Sequence, residues 1–393
     1  MGYSFHMPRE WDAIVVGLGA MGAAALWHLA RRGARVLGIE RFSRGHDRGS
    51  SHGGSRIIRY AYFEHPDYVP LLRRSGELWT ELEQAAQTKL VHQSGMLYGG
   101  MRGSEVLAGV KASANQHRIA LESIDPHRIG DRFAAFAQCA EPIDEFLFEP
   151  GAGFIRPERA ICAMIEQAEL HGAVVRESTT VESWRENAEC AEVVVEGESL
   201  RAREIILCPG AWTAEVARSL GVALINTRQV IAWITPREHD RADARVMPVM
   251  PAFFIERESG AAMYGVPMSP DQQSPLGIKV GFHGDGAVCH PDSLDRQVRA
   301  QEINSMNRAV ARVMPGVAGT VTDSAVCIYT NTPDGHFIID RMPGSRRTSI
   351  ACGFCGHGFK FAPVVGEVLA DFAMRGNTAL PIDFLRIDRF RGQ

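Results

Sequence analysis

The sequence predicts an α/β protein, α+β overall: a discontinuous domain around a parallel sheet, and a second domain built on a mixed, largely antiparallel β-sheet. Three observations predict it. The chain opens on a strand, glycine turn, helix and strand that together have the length of a βαβ crossover. Further α/β material recurs around residues 157–208 and 348–372. Between these stretches lie β-rich segments broken by turn signals.

The bulk properties set bounds. A chain of 393 residues corresponds to two or three domains. Its 45% apolar and 22% charged residues are ordinary for a soluble globular protein. With 42 basic and 46 acidic side chains the net charge is −4, which excludes the basic footprint of a nucleic-acid binder. No apolar run is long enough to span a membrane, and the N-terminus lacks the pattern of a signal peptide. Eight scattered cysteines read as reduced thiols, so a cytoplasmic location is expected. Glycine is the one mild excess, at 39 residues, and its placement carries the rest of the reading.

Residues 1–9 read as an N-terminal extension. Asp12 to Gly17 is a short apolar strand, followed by a helix over Ala23–Arg32 stopped at Gly33, then the strand Arg35–Glu40. Leu71, Leu72, Leu78 and Leu82 mark an amphipathic helix from Pro66 to about Gln87. Short elements follow to residue 150. Pro157–His171 reads as a helix with proline in its first turn, then a strand at Ala173–Val175 and a meander over 179–207. Many strands are expected over 219–320, with a helix near 298–313. The strand Thr348–Cys352, a glycine-rich loop and a helix from Ala362 to Phe372 close the fold. Accordingly, residues 10–81, 151–218 and 322–380 are assigned to the discontinuous domain, and 82–150 with 219–321 to the second.

Gly17-Leu-Gly19-Ala-Met-Gly22 is the first motif with chemistry. Such a turn needs glycine at 17 to bend, at 19 to let a pyrophosphate approach the backbone, and at 22 to pack helix on strand. Ala20 and Met21 lie in this turn, and the N-terminus of the helix beyond it offers its unpaired N–H groups to the phosphates. Glu40 ends the next strand, where a carboxylate can accept from ribose hydroxyls. The unit indicates a Rossmann-like dinucleotide site, without separating nicotinamide from flavin dinucleotides. The loop Gly49–Arg59 alone reads as a solvated turn or as glycine-rich backbone beside a flat cofactor. Cys352-x-x-Cys355 with His357 lacks a second ligand pair, so no metal is expected.

These residues converge on a family. The sequence resembles the monomeric sarcosine oxidase and N-methyltryptophan oxidase family, among the glycine- and D-amino-acid-oxidase-like FAD-dependent oxidoreductases. The resemblance runs from Asp12 to about Asp371. It is densest in Val16-Gly-Leu-Gly-Ala-Met-Gly22, Ser51-His-Gly-Gly-Ser-Arg-Ile-Ile-Arg59, Cys327-Ile-Tyr-Thr-Asn-Thr-Pro-Asp-Gly-His-Phe-Ile-Ile-Asp340 and Gly353-Phe-Cys-Gly-His-Gly-Phe-Lys-Phe361. It implies a monomer that binds FAD covalently through Cys327. It implies further that Arg59 and Lys360 hold a substrate carboxylate, that Tyr264, His283 and Tyr329 line the substrate pocket, and that Lys279 activates oxygen. Arg56 matches a basic residue against the flavin. Gly17, Gly19, Ala20, Met21, Gly22, Glu40, Ser51, His52, Ser55, Arg56, Val175, Gly356, His357, Gly358 and Lys360 are expected at the cofactor. Lys279, Arg56, His283 and Tyr264 are the catalytic candidates.

Departures from the family pattern are local. A few extra residues lie between Pro267 and Lys279, Gly335 replaces an acid, Cys355 stands for a small hydroxyl residue, and Ser51 stands for a histidine. The resemblance implies oxidation of the C–N bond of a secondary α-amino acid, sarcosine or another N-methyl amino acid, with O2 reduced to hydrogen peroxide. The imine would hydrolyse to the demethylated amino acid and formaldehyde. The competing readings are an oxidase or dehydrogenase of cyclic imino acids such as pipecolate or proline, and a non-catalytic flavin-binding module.

Overall fold

The computed structural model describes residues 11–213, 216, 219–236, 250–258, 262–269, 271, 275–284 and 286–391. The expected extension at 1–9 and part of the segment between Pro267 and Lys279 lie outside them.

The opening unit forms as expected. Strand β1 (Trp11–Val16) runs into helix α1 (Ala20–Arg31), and β2 (Val36–Ile39) returns parallel to β1. Helix α1 is apolar along nearly its whole length because it is covered by two other helices, Pro157–Leu170 and Ala362–Arg375. Gly366 makes the closer crossing possible: a Cβ there would sit 2.4 Å from the backbone of Ala24. The parallel strands run in the order Val174–Arg176, β2, β1, Glu198–Leu207, Thr348–Cys352. The hairpin Val181–Glu186 and Ala191–Val195 extends the long Glu198–Leu207 strand antiparallel. β1 therefore has its next strand on one side and a much later one on the other. Its C-terminal end is a topological switch point, where open α/β sheets bind ligands.

Among the described residues the second sheet has eight strands. Gly319–Asn331 forms one edge, followed by Ile225–Pro236, Ile278–His283, Ala262–Val266, Ala252–Ile255, Met96–Gly100, Glu145–Glu149 and Glu122–Ile124. All neighbours are antiparallel except Ala252–Ile255 with Met96–Gly100. This is the mixed, largely antiparallel sheet the sequence predicts. Gly319–Asn331 is hydrogen-bonded along Ile225–Pro236 throughout, so the expected boundary at 322 falls inside a strand of this sheet.

Side-chain alternation gives the second sheet two different faces. Ile278 and Val280 pack with Ala232, Ile234 and Met263 into a buried apolar core. The intervening positions Lys279 and His283 face the opposite way, as do Tyr264, Ile231, Cys327 and Tyr329, and all six line one cavity. A small sheet of Arg56–Ile58, Gly153–Ile155 and Val91–His92 carries the loop that ends at Arg59. No described helix is long and apolar enough to cross a membrane.

Candidate functional site

The cavity runs from the Gly17–Met21 turn and Glu40, past Cys327, to Lys360. At its first end the glycines do what the motif requires. Gly17 has φ +86°, and a Cβ there would meet the Cys208 carbonyl oxygen at 2.4 Å; a Cβ on Gly22 would meet the Gly17 carbonyl oxygen at 1.8 Å. Gly19 instead meets nothing nearer than Ser51 Oγ at 3.9 Å, and α1 begins there without a side-chain cap. A helix N-terminus with open space before it suits a phosphate. Glu40 is buried; Oε2 accepts from Leu18 N–H at 2.7 Å and Oε1 from Phe42 N–H at 3.0 Å. Each carboxylate oxygen retains acceptor capacity toward a ribose.

Around the middle of the cavity the loop Gly49–Ser55 meets the edge strand of the second sheet. Arg56 donates from Nη2 to Ser50 O at 2.6 Å and from Nη1 to Ser55 O at 2.8 Å, and Nη2 lies 3.6 Å from Cys327 Sγ. Cys327 is buried, which raises a thiol's pKa. The hydrogen bond from His52 and the charges of Arg56, His52 and Lys279 overcome that and bring it down to about 7. Lys279 is buried opposite, donating to Gly53 O at 3.2 Å and to Ser55 O. Burial, and then the charge of Arg56, push its ammonium well below the ordinary lysine range.

The far end is a compact charged cluster in an aromatic box. Arg59 pairs with Glu64 and lies over the rings of Tyr62 and Phe63. Lys360 Nζ donates to His357 O at 2.6 Å; burial and the nearby Arg59 lower it to about 7. His357 is held between Tyr62 Oη at Nδ1 and Gly335 O at Nε2, so Nε2 carries the proton and Nδ1 accepts. Burial lowers its pKa to about 3, against the pull of Glu64. Tyr264 and Tyr329 hydrogen-bond each other, and burial raises both phenols, Tyr264 to about 12. His283 stands between Phe254 and Tyr329, and burial keeps it neutral. Gly356 is needed beside them, since its Cβ would lie 2.3 Å from the Tyr329 ring.

Of the residues expected at the site, three do not line the cavity. Gly22 supports the turn from beneath, and His52 acts through Cys327. Val175 pairs with Gly38 on the outer strand and packs against the core of the helical layer, because its place in the strand turns it to that face. The sequence reading missed Glu64, Tyr62, Phe63 and Phe254. Glu64 had a signal: it is an acid five residues beyond a candidate cation in the apolar run Tyr60-Ala-Tyr-Phe. Phe254 had none, because only sheet pairing brings it there.

A dinucleotide turn, a thiol of lowered pKa at the cavity wall and a charged aromatic far end make up the cavity. The family model FAD dependent oxidoreductase matches residues 12–372. The chain belongs to that family. It is 41% identical to a monomeric sarcosine oxidase of Streptomyces avermitilis over 96% of this chain and 97% of that protein. It is 34% identical to an N-methyl-L-tryptophan oxidase of Escherichia coli over 97% of this chain and all of that one. The fold is also that of the amino acid oxidase NikD, with TM-score 0.82, 23% identity and coverage of 96% and 97%. L-proline dehydrogenase from P. horikoshii superposes with TM-score 0.81, 21% identity and 98% coverage of both chains. The protein is an FAD-dependent oxidoreductase, and the glycine turn, Glu40 and the room above Gly19 fit that cofactor.

Proposed function

We propose that this oxidoreductase oxidises the C–N bond of a secondary α-amino acid, sarcosine or another N-methyl amino acid, and passes the electrons to O2. The observation that carries the reading is the pair of buried basic side chains Arg59 and Lys360, with Glu64 beside them, at the aromatic end of the pocket. When bound, FAD supplies the acceptor for the hydride equivalent and the route by which electrons reach oxygen. Arg59 and Lys360 bind the substrate carboxylate, a guanidinium fixing direction and an ammonium adding charge. Tyr264, Tyr329 and His283 are uncharged near neutral pH, so the amine sits among groups that favour its neutral, reactive form. The curated relatives named for sarcosine and N-methyl-L-tryptophan support this class of substrate.

Cys327, with its thiol near 7, is the attachment point for the flavin through a thioether to the 8α-methyl group. Lys279, against the Gly53–Ser55 turn, is the cation on the oxygen side, where it stabilises negative charge as oxygen is reduced. The product imine hydrolyses to the demethylated amino acid and formaldehyde. The protein acts as a cytoplasmic monomer.

A panel of N-methyl amino acids, with pipecolate and proline, tests the reading. Anaerobic addition of a substrate should bleach the flavin, and admission of air should restore it with release of peroxide and, for N-methyl substrates, formaldehyde. Bleaching without peroxide would make the protein a dehydrogenase. No bleaching with any member would leave a flavin-binding module without amine chemistry.

A further inference from the structure

Lysine is scarce in this chain: of 42 basic residues only Lys89, Lys111, Lys279 and Lys360 are lysine. Lys89 and Lys111 form surface ion pairs with Glu83 and Glu145. The other two are buried in the cavity wall. Arginine keeps its charge under all ordinary conditions, whereas a buried lysine can lose it. The charge of Lys279 is therefore set by what surrounds it.

Its seat is a tight turn. Ser55 N–H closes on Gly53 O at 2.9 Å, with Gly53 and Gly54 both in the left-handed region at φ +92° and +75°. The carbonyls of Gly53 and Ser55 serve Lys279, and Ser55 O is shared with Arg56. The N–H between them, that of Gly54, donates to Glu158 Oε1 at 2.9 Å. Glu158 lies in the first turn of helix Pro157–Leu170, a favourable place for a carboxylate. Its neighbours Arg156 and Arg159 are both engaged by Asp271.

We propose that Glu158 is the positioning residue of Lys279: it clamps the Gly53–Ser55 turn by its middle N–H and places a carboxylate behind it, keeping the ammonium seated and charged. The inference rests on the reading of Lys279 as the oxygen-side cation. Burial and Arg56 disfavour the charged lysine, while Glu158 and Cys327 favour it. A Cys327 sulfur joined to flavin in a thioether has no charge to offer, which leaves Glu158 as the anion of this set. A protonated Lys279 is needed for oxygen to react, so reactivity is lost as pH rises through its titration. Removing the carboxylate moves that loss to lower pH.

E158Q retains an oxygen that can accept from Gly54 N–H but carries no charge; E158A removes both. With only four lysines, selective 13C labelling of the lysine ε-carbons in the oxidised holoenzyme gives four signals, and K279M assigns the one of interest. The Lys279 midpoint should fall by roughly one pH unit in E158Q. The rate of oxygen with the substrate-reduced enzyme should fall off at a correspondingly lower pH, with flavin reduction unchanged. E158Q should add nothing in a K279M background. An unchanged midpoint and oxygen profile in both E158Q and E158A, with K279M still slow toward oxygen, would overturn the role of Glu158 and leave Lys279 in place. A K279M enzyme that reoxidises normally would instead remove the underlying reading, and the labelled midpoint would still decide whether Glu158 acts on Lys279.

Discussion

Arg59 presents one guanidinium nitrogen, Nη2, to both carboxylate oxygens of Glu64, at 2.6 and 2.7 Å, while its Nη1 has no hydrogen-bond partner among the described residues. Arg59 is buried and Glu64 largely so, and each charge depends on the other. Burial disfavours the Glu64 carboxylate, but Arg59, His357 and Lys360 hold it down to about 2. The site thus carries its own anion, and on the role proposed for Arg59 an incoming carboxylate would meet an arginine already half engaged.

E64Q should therefore bind carboxylate ligands more tightly, by about tenfold, while losing stability without ligand. Thermal shifts with and without a non-oxidisable N-methyl acid check both halves: a lower Tm alone, a larger ligand-induced rise. The sign with pH follows. A carboxyl lowered from its ordinary 4.5 to about 2 contributes stability above 4.5 and loses it as pH falls toward 2. The acid limb of the wild-type Tm profile should flatten in E64Q.

Lys360, lowered to about 7, is mostly neutral at pH 8 in the free enzyme. A bound carboxylate favours the ammonium and restores its proton affinity. Binding at pH 8 should take up close to one proton, measurable by calorimetry in buffers of different ionisation enthalpy. K360R, permanently charged, should show no such uptake. Equal uptake in both proteins would assign the proton elsewhere.

Acid-precipitated protein should stay yellow, and C327A should release its flavin to the supernatant. Because only the thiolate attacks, attachment to flavin-free protein should be about fivefold slower at pH 6 than at pH 7. A pH-independent rate would argue that thiol ionisation does not limit the reaction.

Glu149 is fully buried and accepts from Tyr60 N–H at 2.7 Å, Ala61 N–H at 3.2 Å and Tyr98 Oη at 2.8 Å. It ties the chain just beyond Arg59 to the second sheet. E149A leaves the N–H groups of Tyr60 and Ala61 unmet and Tyr98 Oη with only Ala61 O at 3.3 Å; it should cost about 3 kcal/mol in urea unfolding, with a raised KM for carboxylated substrates. A stability loss with KM unchanged would limit Glu149 to a structural role.

Much of the site is legible in the order of residues along the chain. The turn at Gly17–Gly22 and the acid at Glu40 are local, and their spacing along one βαβ unit carries the meaning. The strand alternation that aims Lys279 and His283 the same way is equally local. Arg59 and Lys360 are different, since they stand 301 positions apart in the chain. Only the family resemblance joins them, because no periodicity spans such a distance.

The sequence by itself determined a dinucleotide-binding α/β protein, since backbone bends and side-chain alternation depend on near neighbours, and only the family resemblance made the dinucleotide a flavin. Tertiary structure decided which charges the site retains. Glu64 on Arg59, the Gly53–Ser55 carbonyls on Lys279, and His52 beside Cys327 are all set by packing between separate segments. Burial removes water, and in its absence the nearest charge or dipole decides whether a lysine, a thiol or a carboxyl is ionised.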